Sequence, residues 1–398
     1  MEKGKFPLSI QFVLRQDAPN AKNYSKRSDC ADIDCPVCQH KGKLHVDYAK
    51  NVFRCNACGE SGGVIKLHQL YTGIGDSKQA YADLASRWNS LPQSERGNMK
   101  LSGEVKQNAK VTYISLRDQV YTNLLSTLAL SESHKQDLIK RGLSPEFIKQ
   151  AGYKTLPVFG FCTLAELSLW KSCNQTDFQE AMKFWMNVFS KNNGSCIPGY
   201  YSLQNEIRIV RRKNGFFVPV RDRFGRISGM QIRYDALQED ATEREKEMYH
   251  KYSWFSSSEK TTGVTITGIE TIHHVGFDAR SETTPSTVYL TEGALKADVA
   301  SFLSGGKPFI ALIGVNNTSQ LKDELVYLKD QGTTKIHVAV DMDYRDKPTV
   351  KKALDNIMNT IHDAGLESLM LTWPEEYKGI DDFLLENKKR GGKPNILM

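Results

Sequence analysis

Thr287-Val-Tyr-Leu-Thr-Glu-Gly-Ala-Leu-Lys-Ala297 and, further on, Lys335-Ile-His-Val-Ala-Val-Asp-Met-Asp343 decide how the C-terminal part of this chain folds. Each is a short apolar, β-type run that ends on acids, and each is followed by a segment with helical spacing. Working outward, the same alternation predicts strand 287–291, helix 294–304, strand 309–313, helix 317–330, strand 335–340, helix 348–364 and strand 367–372. Strands that alternate with helices imply a parallel sheet, whose functional loops lie at the carboxyl ends of the strands. Glu292, Asp341 and Asp343 fall on those loops, and Asp381-Asp382 follows the next strand.

Carboxylates that converge on one crevice repel one another unless divalent cations neutralise them, and hard oxygen ligands select Mg²⁺ or Mn²⁺. Asp381 and Asp382 are placed to complete such a cage. Gly293 suits a helix start that a substrate must approach closely. An Asp-x-Asp pair or a Glu-Gly dipeptide is commonplace by itself, so the inference rests on their order, each on its expected βα loop.

A second cluster lies near the N-terminus. Five of the eight cysteines fall between Cys30 and Cys58. Cys35-Pro-Val-Cys38 and Cys55-Asn-Ala-Cys58 are two knuckles with sixteen residues between them. A two-residue gap lets one tight turn present two thiolates to one ion, and the intervening arm returns as a hairpin, so the pattern reads as one structural Zn²⁺. Cys30, His40 and His45 are near enough in sequence to replace a ligand. Lys41, Lys43, His45, Tyr48, Lys50, Phe53 and Arg54 mix cations with aromatics between the knuckles. Such a surface can follow a phosphate backbone and stack unpaired bases, or it can be a solvated hairpin packed on its own metal.

At 398 residues the chain is long enough for two to four domains. Apolar runs such as Phe309 to Val315 stop far short of the ~20 residues a membrane helix needs. Residues 1–10 lack an apolar signal core, so the expected compartment is the cytoplasm, with no membrane partner. The net charge is +7, and between Arg208 and Arg233 eight Arg or Lys stand against one acid, Asp222. That is the pattern of one phosphate-facing surface on an otherwise balanced protein. Within it, Phe216–Val220 and Ile227–Ile232 predict a hairpin turning at Asp222–Gly225. The expected organisation is a zinc ribbon closed by helices over 1–88 and a polar linker over 89–110. A basic subdomain, helical at first, follows over 111–280, and the parallel-sheet domain over 281–398. Residues 157–205 carry no recognisable chemistry, and a Walker A loop is missing, so a helicase motor is not expected.

The residues resemble the DnaG-type bacterial and phage primases. Cys35 to Gly73 is similar to their zinc-binding module. Leu138-Ile-Lys-Arg-Gly-Leu-Ser-Pro-Glu-Phe-Ile-Lys-Gln-Ala-Gly-Tyr153 resembles the segment opening their RNA polymerase domain. Phe217 to Gly229 with Arg233 resembles their basic hairpin, and Lys251-Tyr252 the Lys-Tyr after it. Glu292-Gly293 and Asp341-x-Asp343 match the TOPRIM motif.

The resemblance implies an α+β and α/β multidomain chain: a zinc ribbon, then a core of a mixed basic subdomain and a TOPRIM parallel sheet. It implies a primase that makes short RNA on single-stranded DNA template from NTPs, with Glu292, Asp341 and Asp343 ligating Mg²⁺ or Mn²⁺ and Asp381 and Asp382 auxiliary. Arg221, Arg223, Arg226, Arg233 and Lys251 would meet template and triphosphate. The family often has an acid where Lys296 stands, so a ligand is either lost or supplied by Asp298; Lys296 is expected to meet a phosphate or to pair with Asp298. The chain ends soon after Asp382, which fits a phage or mobile-element primase whose helicase partner, if any, is held differently. A TOPRIM nuclease and a non-catalytic DNA-binding accessory protein remain the alternatives.

Overall fold

Alternating burial along Leu44-His-Val-Asp47 shows how the first sheet is built: Leu44 and Val46 are fully buried, His45 and Asp47 half-buried. The computed structural model describes residues 9–25, 27, 29–91, 111–156, 175–192, 197–203, 206–212, 214–258, 260, 263–266, 268–313, 318, 320–342 and 348–391. From position 92 on, the stretch read as a linker lies outside these residues, as do residues 157–174 and Asp343. The chain divides into two compact units, Met1–Gln107 and Asn108–Met398.

In the first unit, Cys30–Ile33 (β1), Leu44–Asp47 (β2), Val52–Cys55 (β3) and Ser61–Gly63 (β4) pair antiparallel in that order. Only one face can be buried in a sheet this small, so period-two alternation sets its register. Helices Ile10–Asp17, Val64–Thr72 and Ser77–Ser90 supply the apolar cover through Ile10, Val13, Leu67 and Leu84. The last begins where the Asp76 side chain accepts from the Gln79 amide, an ordinary N-cap. The Ile10–Asp17 helix was not expected from the sequence. His68, fully buried, is bonded to Asp17 at 2.6 Å and so ties that helix to Val64–Thr72.

The second unit opens with helices Ile114–Thr127, Glu132–Lys140 and Pro145–Ala151, as the three-and-four apolar spacing predicts. Lys154–Thr155 (β5) follows, and Tyr200–Leu203 (β6) pairs with Glu206–Ile209 (β7). Gly215–Arg221 (β8) and Ile227–Tyr234 (β9) form the expected hairpin. Asp222 Oδ1 accepts from the amides of Phe224 and Arg226, which folds the turn. With Tyr252–Trp254 (β10) they make a sheet ordered β10-β9-β8-β5.

His273–Val275 (β11), Thr287–Glu292 (β12), Phe309–Leu312 (β13), Lys335–Val338 (β14) and Glu367–Met370 (β15) form a five-stranded sheet, ordered β11-β13-β12-β14-β15. β12 to β15 are parallel, and β11 joins the edge antiparallel from before residue 281. Successive side chains of β12 face opposite cores. Val288 and Leu290 pack with Ile336 and Val338 against helices Leu321–Asp330 and Pro348–Asp363. Tyr289 packs with Phe309 and Ala311 against helices Ala294–Leu303 and Ile380–Lys389. Cover on both faces explains why β13 is wholly apolar, each fully buried aliphatic or aromatic side chain being worth roughly 1.5–3 kcal/mol. No helix among the described residues is long and apolar enough to cross a membrane.

Candidate functional site

The four knuckle cysteines meet. Their sulfurs all lie within 4.8 Å of one another, with Cys35 Sγ to Cys58 Sγ at 3.8 Å and Cys38 Sγ to Cys55 Sγ at 3.7 Å. A Zn–S bond of about 2.3 Å gives a tetrahedron whose edge is about 3.8 Å, which these two separations match. The amides of Ala57 and Cys58 donate to Cys55 Sγ, which supports a thiolate there. The other candidates are engaged elsewhere. Cys30 sits 3.3 Å from Ser25 Oγ, His45 pairs with Asp32 at 2.7 Å, and His40 bonds the Cys38 carbonyl oxygen. Four cysteines, and not these three, can bind one zinc ion.

The carboxylates meet at the carboxyl ends of the parallel strands. Glu292 ends β12, and Gly293 follows with φ +81°, a left-handed turn into the Ala294–Leu303 helix that a Cβ would strain. Asp341 leaves β14 on a loop whose Met342 amide donates to the Lys378 carbonyl oxygen, 3.0 Å away. That bond sets Asp341 beside Gly379 and the first turn of Ile380–Lys389, which carries Asp381 and Asp382. Asp382 reaches back to accept from the Gly379 amide at 3.2 Å. A Cβ on Gly379 would lie 2.3 Å from Asp381 Oδ1 and 3.3 Å from Asp341 Oδ1, so the absence of a side chain lets these groups close up.

Lys296, on the first turn of the helix that follows Glu292, bridges the cluster: its ammonium is bonded to Asp341 and lies 3.4 Å from Glu292. Asp298 is elsewhere. Its carboxylate is buried, accepts from Tyr153 Oη at 2.5 Å and pairs with His273 at 3.0 Å, so it neither partners Lys296 nor replaces a ligand. Position 298 lies two residues beyond 296 on a helix and therefore faces away from it.

Charges shift accordingly. Burial, then the neighbouring Asp341, pushes Glu292 up to about 7 against the pull of Lys296. Asp381 is also raised, by burial first, and its Oδ1 is buried without a hydrogen-bond partner. For Lys296, burial is outweighed by Glu292, Asp341 and Asp381, and its pKa rises. Hard oxygen donors, one of them orphaned and cradled by Gly379, suit a divalent cation in chemistry. Among the described residues these carboxylates are not drawn together as tightly as the cysteines.

These carboxylates line a cavity of about 630 Å³ together with Arg141, Lys251, Lys378, Gln231, Tyr252 and Trp254. Burial and then the charges of Arg233, Arg141, Lys378 and Lys296 push Lys251 below the usual lysine range. Cations this crowded are what a phosphate would relieve. Arg141, Lys378 and Gln231 were not singled out from sequence, although Arg141 stands in the Arg-Gly-Leu-Ser segment and Lys378 three residues before Asp381. Gln231 Oε1 is buried without a hydrogen-bond partner.

The hairpin arginines do not line this cavity, although Arg141 shares Asp137 with one of them, at 3.5 Å. Arg223 pairs with Glu324, Arg226 with Asp222 at 2.7 Å, and Arg233 with Asp137 at 2.5 Å. Arg221 is largely buried and donates to the carbonyl oxygens of Gly225 and Ala151. Of the eight cations in that window, Arg223 and Arg233 pair with acids about a hundred residues away, and Arg226 pairs with the acid inside the window, Asp222.

A family described as Domain of unknown function (DUF3854) matches residues 279–390. No curated protein matches the chain. Among solved structures, the chain is similar to the zinc-binding and RNA polymerase domains of the Aquifex aeolicus primase: 16% identity, 96% of this chain and 82% of that one covered, TM-score 0.46. It is similar to the RNA polymerase domain of Mycobacterium tuberculosis primase DnaG, solved with a double-stranded DNA oligomer bearing a 6-nucleotide overhang (15% identity, 70% and 81% covered, TM-score 0.45). It is similar also to the E. coli primase catalytic core (16% identity, 69% and 74% covered, TM-score 0.40).

Proposed function

We propose that the chain is a DNA primase, binding single-stranded DNA template and joining NTPs into short RNA primers at the carboxylate cavity. The observation that carries this reading is one cavity that joins buried carboxylates, at the carboxyl ends of parallel strands, to a crowded group of cations. The family motifs at Glu292-Gly293 and Asp341-x-Asp343 support it from the sequence.

Nucleotidyl transfer asks for an attacking 3′-hydroxyl, an α-phosphate and a leaving pyrophosphate held in line, and for little covalent chemistry from the protein. A bound Mg²⁺ or Mn²⁺ would supply phosphoryl polarisation and an easier loss of the hydroxyl proton. Asp341 and Asp381 would hold it, with Asp343 and Asp382 as further ligands and Glu292 beside them. Lys251, Arg141 and Lys378 would then take the phosphates, and Tyr252 and Trp254 offer faces on which a base can stack. Residues 1–88 would serve as the zinc module that reads template, 89–110 as its tether, 111–280 as the basic subdomain and 281–398 as the TOPRIM domain.

Incubating the full chain with single-stranded template, NTPs and Mg²⁺ tests this. Short RNA that disappears with Asp341→Ala is the expected result. Template cleavage in its place would identify a nuclease, and metal-independent binding without product would identify an accessory protein.

A further inference from the structure

We propose that Lys296 takes the place of one divalent cation, so that the cavity holds a single such ion and the Lys296 ammonium serves the Glu292 side of Asp341. The inference rests on the cavity being a cation-dependent nucleotidyl-transfer site. Two-cation sites of that kind set their ions about 3.5–4 Å apart, bridged by carboxylates. Here the space between Glu292 and Asp341 is filled by the chain's own ammonium, bonded to Asp341 Oδ1 and 3.4 Å from Glu292 Oε1.

Lys296 is well anchored in that role. It stands on the first turn of a helix whose start is set by Gly293, and its side chain is 17% exposed. Glu292 ends β12 and Lys296 lies on the helix that follows, so the turn at Gly293 is what brings the two side chains together.

Lys378 approaches the other oxygen of the Asp341 carboxylate, 3.6 Å from Asp341 Oδ2, but its side chain is 64% exposed and holds that oxygen weakly. The unmet demand is local: Asp381 Oδ1 is buried without a hydrogen-bond partner, beside Gly379 and on the same side of it as Asp341 Oδ1. A single ion between Asp341 and Asp381 satisfies it, while Lys296 stays where it is.

The test is to count Mn²⁺ ions per chain by electron paramagnetic resonance, on the full chain with its cysteine site already filled with zinc. One ion is expected for the wild type and for Lys296→Arg, which keeps the charge. Two are expected for Lys296→Glu, which restores an oxygen ligand and removes the ammonium. Two ions in the wild type would overturn the proposal whatever the variants do, and RNA synthesis by that same protein would leave the primase reading standing. One ion in a folded Lys296→Glu would overturn it as well. A wild type that binds none would overturn both the role of Lys296 and the cation-dependent site.

Discussion

Arg223 Nη2 donates to both carboxylate oxygens of Glu324, at 3.0 and 2.8 Å, across 101 residues of chain. Glu324 is fully buried and is also bonded to His274 Nε2 at 2.8 Å. Burial works against its charge, but His274 and Arg223 outweigh it and hold the carboxyl below its usual range. The guanidinium lies over the Tyr327 ring, 3.3 Å from its centroid. Removing one partner of a buried pair strands the other, so Arg223→Ala should cost about 3–5 kcal/mol in urea unfolding. A loss below ~1 kcal/mol would mean that Arg223 is free for another task.

Template affinity should depend on the cavity cations and not on this pair. Each phosphate contact on single-stranded DNA contributes about 0.7 to the slope of log binding constant against log salt. Lys251→Ala and Arg141→Ala should each flatten the slope by roughly that amount. A folded Arg226→Gln should leave it unchanged, since Asp222 already takes that guanidinium in two bonds. Equal flattening by all three would return the hairpin to the template path.

Zinc should be present at one ion per chain by atomic absorption and should be lost with Cys38→Ser. Because the sulfur cluster holds β3 and the knuckle turns together, chelation should melt the first unit, zinc modules drawing about 10–16 kcal/mol from their metal. In primer synthesis, chelation should impair initiation more than extension of a preformed primer. Equal loss of both would count against a ribbon that reads template.

Glu292 supplies a pH dependence of definite sign. Its pKa is raised to about 7 in the folded chain and falls to about 4.3 on unfolding. Between those values the folded chain holds a proton that the unfolded chain releases, so this group lowers stability as pH rises through the window. Without divalent cation, the stability of the wild type relative to Glu292→Gln should therefore fall from about pH 5 to about pH 8. A constant difference would show that Glu292 is ionised throughout.

Much of this was legible along the chain because the signals are local. Short apolar runs separated by helical runs located every parallel strand from Thr287 to Met370 within a few residues. The Cys-x-x-Cys spacing named four ligands, since a knuckle is a turn and a turn is a local object. The Ile10–Asp17 helix and β11 escaped because each is a short apolar segment whose place is decided by what it packs against.

What the sequence by itself determined, then, is the parallel sheet, the ribbon and the loops on which Glu292 and Asp341 stand. Only the tertiary structure decided which charges are spent inside the chain. A count of charge between Arg208 and Arg233 cannot include Glu324 or Asp137, because ion pairing follows distance in space. For the same reason Lys296, whose sequence neighbour Asp298 is taken by Tyr153 and His273, finds its partners in Glu292 and Asp341, the second of them 45 residues on.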